Sequence, residues 1–350
     1  MRFVHTADWQ IGLKAAHAGL AAGRVRTARV ESARAVIELA RALAVDFILI
    51  AGDTFEDNGV SRRTVEDVAG LLFGAPCPVF LIPGNHDAAG TGSVWEQSRW
   101  RGGAVHVLTR PEAVEVPGGT LYPCPLFDRW SNSDPTAWIP REDTGAIRIG
   151  MAHGTVAGLP DPERSHPIAR DAAARAGLDY LALGHWHSTS IMDRMAYCGT
   201  HEPSRFGERN SGQVLLVEIA APGAEPEIRP IPTGRLRWVR RDEVIRSPGR
   251  LEWLLADLEN EVNGRETLLE CRLSGWLAAG DRGLLEKIER VVQNKFLLGR
   301  LDRSGLVPAP DDDGWVEQMP VGYLREAASR LRDRQDEAGA HALLVLYELL

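Results

Sequence analysis

The chain has 350 residues, 44% of them hydrophobic and 25% charged, with a formal net charge of −8 at pH 7. That length holds one large domain and a smaller one, and the acidic balance excludes a generally basic nucleic-acid coat while leaving room for a local basic strip. The four cysteines, Cys77, Cys124, Cys198 and Cys271, form no Cys-x-x-Cys pair, and no apolar run reaches the roughly 18 to 20 residues that span a bilayer, so a reduced, cytoplasmic protein without membrane contact is expected.

Met1 leads straight into a strand, with no signal peptide read ahead of it, and Arg2 to Ala7 carries Asp8 and Gln10 at the strand tip. After a glycine-punctuated loop, alanine, leucine and valine recur at helical spacing from about Arg24 to Ala44. Phe47 to Ala51 is a continuous apolar run of the parallel-sheet kind, reaching Asp53. Ser61, followed by Arg62, Arg63 and Glu66, reads as the N-cap of a helix to about Phe73; prolines 76 and 78 break it before a strand at Val79 to Ile82. The alternation is an α/β opening. From Val105 to about Val217 short strands dominate, at Val105 to Leu108, Ala113 to Val116, Thr120 to Pro123, Ala146 to Ala152, Tyr180 to Leu183, Met195 to Cys198 and Val214 to Ile219. A helix around Ile168 to Ala176 interrupts this second, mixed sheet. Proline and glycine crowd residues 222–234 and mark a boundary. Beyond it come a helix from about Gly249 to Val262, a strand Glu266 to Leu273, a helix from about Asp281 to Asn294 and an edge near Phe296 to Leu301. Pro308 to Gly314, with Asp311, Asp312 and Asp313, reads as a solvated loop, and Met319 to Leu350 as helical in two pieces. The expected domains are 1–234, 235–310 and 311–350.

Five apolar, β-like runs each end on an Asp, Asn or His: Val4 to Gln10, Ile48 to Phe55, Leu81 to Asp87, Ile149 to Gly154 and Tyr180 to His187. Any one of these ends alone is ordinary turn chemistry, with Asp and Asn bonding nearby backbone N–H groups. Together they read as one metal site, because strand tips of open α/β sheets are where ligands bind. Two divalent ions need one shared ligand and several of their own. Asp53 is the natural bridge; Asp8 with one of His185 and His187 completes one ion, and Asn85 and His153 with the other histidine complete the second. Mixed oxygen and imidazole donors suit manganese, iron or zinc more than calcium. His86, adjacent to a ligand, is placed to give a proton or hydrogen bond to a leaving oxygen.

In this order and spacing, Asp8-x-Gln10, Gly52-Asp53-x-Phe55, Gly84-Asn85-His86-Asp87, His153-Gly154 and Gly184-His185-x-His187 resemble the calcineurin-like metallophosphoesterases. The opening His5 to Trp9, the segment Tyr197 to Glu208 and a small unit beyond it resemble the DNA-repair nuclease branch, the SbcD type of bacteria and the meiotic recombination eleven nuclease of archaea and eukaryotes. The resemblance covers roughly residues 1–220. It implies an α/β/β/α two-sheet sandwich with a small α+β cap for DNA recognition and C-terminal helices that dock a partner. It further implies one metal on Asp8, Asp53 and His187, the other on Asp53, Asn85, His153 and His185, with His86 catalytic and Mn2+ ahead of Mg2+, Fe2+ or Zn2+. The implied activity is exonuclease or endonuclease cleavage of DNA by metal-activated water, in double-strand-break repair or defence, as a homodimer working with an SbcC-like SMC-type ATPase. Two positions depart from the pattern. Gln10 stands where the family has a metal-binding His, and Glu56 where archaeal and eukaryotic members often have a His that helps place DNA. Two rivals are a small-nucleotide phosphodiesterase and a DNA-binding or scaffold subunit with a weakened site.

Other polar residues have plainer readings. His5 lies in the first strand as a structural hydrogen-bonder; His17, His106, His166 and His341 have no motif partners; His201 suits packing or a substrate contact. Arg62, Arg63 and Arg205, with Arg99, Arg101, Arg240 and Arg241, can form a phosphate-contacting rim or simply be solvated, and only Arg205 is placed by a motif. Trp9 and Trp186 flank ligands, where packing and base stacking compete. The apolar tail His341 to Leu350 either docks on its own domain or meets a partner helix.

Overall fold

The computed structural model describes residues 1–142, 144–159, 165–246, 249–309, 313–334 and 336–349. The chain divides into two compact units, Met1–Leu236 and Arg237–Leu350.

The larger unit runs β1 (Arg2–Thr6), α1 (Ala22–Ala42), β2 (Phe47–Ala51), α2 (Arg62–Phe73), β3 (Val79–Ile82), β4 (Val105–Val107), β5 (Val114–Val116), β6 (Gly119–Cys124) and β7 (Ile147–His153). It continues with β8 (Thr155–Val156), β9 (Pro167–Ile168), α3 (Ala172–Ala176), β10 (Tyr180–Gly184), β11 (Ser190–Met192), β12 (Met195–Tyr197), β13 (Gln213–Glu218) and β14 (Glu227–Pro232). Two six-stranded sheets result, in the orders β14-β13-β1-β2-β3-β4 and β11-β12-β10-β7-β6-β5. β1, β2, β3 and β4 are mutually parallel, as are β6, β7, β10 and β12, so the carboxyl ends of each parallel set share an edge.

Strand alternation sorts the apolar residues into three layers. Phe3, Phe47, Leu49, Phe80 and Ile82 face Leu121, Ile149, Met151 and Tyr180 between the sheets. The opposite face of the first sheet, Val4, Ile48, Ile50, Val79 and Leu81, packs on Val36, Ile37 and Ala40 of α1 and Val65, Val68 and Leu72 of α2. The outer face of the second sheet packs Leu181, Leu183 and Tyr197 on Ala172, Ala173 and Ala176 of α3. This is the α/β/β/α sandwich, held mainly by apolar burial worth roughly 1.5–3 kcal/mol for each fully buried Val, Leu or Ile. Ser61 does cap α2, its hydroxyl accepting from Thr64 N–H at 3.1 Å.

Several elements differ from the sequence reading. β14 occupies the proline-rich stretch expected as a boundary; Pro230 and Pro232 fit because β14 is an edge strand paired only to β13. The α3 helix starts later than expected, since Ile168 belongs to β9, but ends at Ala176 as expected, with Gly177 at φ 63° closing it.

The smaller unit is β15 (Arg237–Ile245), α4 (Arg250–Asn260), β16 (Thr267–Leu277), α5 (Arg282–Lys295), β17 (Leu298–Pro308), α6 (Trp315–Gln318), α7 (Tyr323–Asp333) and α8 (Glu337–Glu348). Its three strands pair in parallel around β16. Leu251, Leu254 and Leu258 of α4 and Leu285, Ile288 and Val292 of α5 pack on Leu269, Cys271 and Leu273. β15 escapes sequence reading because Arg237, Arg240, Arg241, Asp242 and Glu243 dilute its apolar pattern, as an edge strand allows. Val316, Met319, Ala328 and Leu343 make a small core among α6, α7 and α8. Of the expected acidic loop, Asp311 and Asp312 lie outside the described residues. The four cysteines form no disulfide, and among the described residues no helix is long and apolar enough to cross a membrane.

Candidate metal centre

The tips of β1, β2, β3, β7 and β10 converge. Asp8 N–H donates to Gly52 O (3.1 Å), Gln10 N–H to Asp53 O (2.9 Å) and Gly154 N–H to Gly184 O (3.2 Å). The approach is too close for side chains at two glycines. A Cβ on Gly84 would lie 2.1 Å from Asp53 Oδ1, and one on Gly184 would lie 2.0 Å from Ala51 O. Asp8 (φ 53°), Gln10 (φ 41°), Asp53 (φ 51°) and His185 (φ 102°) all have positive φ, a conformation costing on the order of 1–3 kcal/mol at a residue with a Cβ. The strain gathers where the candidate ligands are.

Asp8, Asp53, Asn85 and His153 are all buried, and donor atoms of Asp8, Asp53 and His153 lie within 4.8 Å of one another. His153 Nδ1–H donates to Ala51 O (2.9 Å), and Nε2 faces Asn85 Oδ1 (2.8 Å) and Asp53 Oδ2 (3.4 Å). Both ring nitrogens therefore face oxygens, an arrangement that favours the protonated ring. Burial opposes that charge, but Asp53 outweighs it and raises His153 to about 9. Reciprocally, burial pushes Asp53 up while His153 and His86 hold it below the usual carboxylate range. Asp8 is raised, by burial first and by the Asp53 charge, against the pull of His153 and His187.

The remaining residues frame this core. Both Asp8 oxygens accept from His185 N–H at 3.1 Å, and His185 Nδ1 lies 3.1 Å from Asn85 Oδ1. His86 N–H donates to Asp53 Oδ1 (2.9 Å) and its Nδ1–H to Glu56 O (2.8 Å), leaving Nε2 as the nitrogen available to a substrate. His187 Nδ1–H donates to Glu208 at 2.9 Å. Gln10, Asp53, Glu56, His86, His185 and His187 line a cleft of about 450 Å³, which Arg129, Trp186 and Arg205 also enter.

Three outer residues do not line the cleft. His201 is fully buried, its Nε2–H donating to Arg29 O (2.8 Å) and its ring 5.3 Å from Trp9, so it is a packing residue and not a substrate contact. Arg62 and Arg63 are exposed at the start of α2, outside the cleft lining, and Arg63 faces Asp67 at 4.0 Å. Arg205 does line the cleft. Trp9 packs below the site with its indole N–H on Thr6 Oγ1 (2.9 Å), and His5 bonds Tyr180 OH (2.8 Å) inside the core.

Sequence reading misses the supports. Buried Arg29 holds the carbonyls of Asp8, Trp9 and Glu202. Asp87 accepts from Gly84 N–H (2.7 Å) and Phe55 N–H (3.0 Å); burial and Asp53 raise its carboxyl to about 7. Arg29 betrays itself only by standing on the buried stripe of α1 with Val25, Ala28, Ala33 and Val36.

Residues 1–189 match the calcineurin-like phosphoesterase family model. The chain belongs to this family. It is similar to the uncharacterized metallophosphoesterase YhaO of Bacillus subtilis strain 168, 26% identical over 210 residues, 56% of this chain and 51% of that protein. It is also similar to the SbcD subunit of the nuclease SbcCD from the same organism, 26% over 273 residues, 64% of this chain and 68% of the relative. The SbcD subunit of Escherichia coli K12 is 24% identical over 259 residues, 59% and 62%. The chain thus spans about half the length of YhaO and close to two thirds of the SbcD proteins. The donor set suits a divalent cation: two buried carboxylates and an imidazole bring their ligand atoms within 4.8 Å of one another, and a cation there would offset the paired negative charge.

Proposed function

We propose that this phosphoesterase is a metal-dependent DNA nuclease of the SbcD type, hydrolysing phosphodiester bonds. The observation that carries the reading is the convergence of Asp8, Asp53, Asn85, His153 and His185 beside a cleft into which His86, Arg129, Trp186 and Arg205 also project. The likeness to the SbcD nuclease subunits supports DNA as the substrate.

In this reading Asp8, Asp53 and His187, with Gln10 as a neutral oxygen donor, would hold one ion, and Asp53, Asn85, His153 and His185 would hold the other. Manganese is the ion proposed. When bound, such a pair supplies an activated water and offsets charge developing on the phosphoryl oxygens. The chain's own residues do the rest. His86, with Nδ1–H committed to Glu56 O, acts in its doubly protonated form, giving the Nε2 proton to the leaving oxygen and keeping the Nδ1 proton. Arg129 and Arg205 hold flanking phosphates, and Trp186 offers a ring to a base. Residues 235–310 are assigned to DNA recognition and 311–350 to docking an SMC-type ATPase, with two copies of the nuclease assembling.

The test is cleavage of labelled linear single- and double-stranded DNA across a manganese titration, with wild type, Asp53→Ala and Gln10→His in parallel. Cutting by wild type, its loss in Asp53→Ala and a lower manganese requirement in Gln10→His are expected. Turnover of a small cyclic or linear diester in preference to DNA would replace the nuclease with a small-nucleotide phosphodiesterase. Inactivity on every diester in every divalent ion, with DNA binding intact, would reduce the protein to a binding subunit.

A further inference from the structure

Glu208 ends the segment that follows the paired histidines. Its side chain is only 3% exposed, yet it carries an ionisable carboxyl. Each oxygen has a donor: Oε1 accepts from His187 Nδ1–H (2.9 Å) and Ser204 Oγ–H (2.7 Å), and Oε2 from Ser204 N–H (2.8 Å). Arg205 Nε lies 3.6 Å from Oε1. The carboxylate is therefore fixed by one residue of its own turn and aimed at one ring.

An imidazole that commits Nδ1–H to a carboxylate has only Nε2 left as an acceptor. That is the tautomer a cation requires, and the negative charge behind the ring makes Nε2 more basic. His187 stands two residues beyond His185, whose N–H donates to both Asp8 oxygens at 3.1 Å, and it lines the same cleft as Gln10 and Asp53. The other cleft-lining donor near this corner, Gln10, is a neutral amide. More of the binding strength must then come from the imidazole.

We propose that Glu208 is a positioning residue, anchored by Ser204, that holds His187 in the Nε2-donating tautomer for the divalent cation it shares with Asp8. The proposal rests on the metal-dependent reading above. Losing such a carboxylate behind a ligating imidazole typically weakens metal affinity about 10- to 100-fold.

The experiment is a calorimetric Mn2+ titration of the full chain, stripped of metal, for wild type, Glu208→Gln and Ser204→Ala. Thermal unfolding in chelator runs alongside as the measure of structure. Wild type is expected to bind two ions. Glu208→Gln should bind one of them about 10- to 100-fold more weakly and the other unchanged, with its unfolding in chelator unmoved. Ser204→Ala, which leaves the Glu208–His187 bond in place, should show a smaller loss. Wild-type affinity for both ions in Glu208→Gln would overturn the role of Glu208 and leave the metal-dependent reading standing. Equal loss of both ions in Glu208→Gln and Ser204→Ala would overturn it too, as collapse of the turn. A wild type that binds no divalent ion would sink the metal-dependent reading itself. If Glu208→Gln does not fold, Glu208→Asp keeps the charge one methylene further from His187, and wild-type affinity there would equally overturn the proposal.

Discussion

Arg29→Ala should cost far more stability than one residue of α1 suggests. Arg29 is 1% exposed, and its guanidinium donates to Trp9 O from Nε (2.8 Å) and Nη2 (2.6 Å), to Asp8 O from Nη2 (2.8 Å) and to Glu202 O from Nη1 (2.9 Å). Thr200 Oγ1 lies 2.9 Å from both Asp8 O and Glu202 O, but a hydroxyl has one proton and can rescue only one of them. Deletion therefore leaves two carbonyls without a donor, at about 1–3 kcal/mol each. The buried Glu202 carboxyl, raised by burial, also loses the Arg29 charge that opposes the rise. Lost packing of the aliphatic stem adds to this, and water entering the space subtracts. The net expectation is roughly 3–5 kcal/mol, a large share of a stability typically about 5–15 kcal/mol. Urea unfolding in chelator, read by hydrogen exchange of residues 2–10, measures it where it acts. Arg26→Ala is the control, exposed on the same helix with one bond to Lys14 O (2.9 Å), and should stay within about 0.5 kcal/mol. A loss below about 1 kcal/mol for Arg29→Ala would refute the claim that this guanidinium holds the Asp8 tip in place.

The other predictions are shorter. His86→Ala should lower kcat on a phosphodiester by about a hundred- to ten-thousand-fold with Mn2+ binding intact; near-normal turnover would remove His86 from the mechanism. Gly84→Ala drives a Cβ to 2.1 Å from Asp53 Oδ1 and 2.4 Å from Asp53 N, so calorimetry should find Mn2+ binding lost; Gly70→Ala on α2, with no atom within 4 Å of the new Cβ, should stabilise by about 1 kcal/mol in urea. His153, raised to about 9, contributes stability to the metal-free protein that is fully present below its unfolded value near 6.5 and lost as pH rises through 9. A cation must displace that proton, so Mn2+ affinity should fall about tenfold per pH unit on acidification below 9, with proton release seen calorimetrically; a flat profile from pH 6 to 9 would show that His153 is already neutral.

The strand tips were legible because a chemical signal and a structural one coincide there. In Ile48 to Asp53 or Tyr180 to His185 an apolar run buried on both faces stops on a polar residue, and only a strand end delivers a polar group out of such a run. The helices α1 and α2 were legible for the same reason, their apolar period matching a buried stripe. Where composition and position disagreed, reading failed. Pro230 and Pro232 look like a linker because a central strand could not hold them, but an edge strand can. The arginines and acids of β15 look like a solvated stretch because pattern alone does not reveal which edge of a sheet faces water.

The supports of the site were illegible for a deeper reason. Asp8, Asp53 and His185 are marked out locally, as polar residues where apolar runs end, whereas Arg29 and Glu202 meet partners far along the chain, and Asp87 and Glu208 add to a near neighbour a bond to Phe55 and to His187 that no local pattern announces. Arg29 reaches Glu202, 173 residues away, and Glu202 in turn accepts from Ser32 Oγ at 2.5 Å and from the backbone N–H groups of Arg235 and Leu236. The need for such supports follows from the site itself. Four positive-φ residues that carry a Cβ store several kcal/mol of strain at one edge of the sandwich, and a strained backbone persists only where its surroundings over-determine it. Arg29 binds the carbonyls of Asp8 and Trp9, Asp87 binds the amides of Gly84 and Phe55, and Glu202 ties α1 to the end of the unit. Each buried charge in this shell answers a backbone group that the convergence of strand tips has left without its ladder partner. The candidate metal centre can thus be read from where apolar runs end, but the rigidity of its backbone lies in buried arginine and carboxylate side chains whose partners are set by the fold.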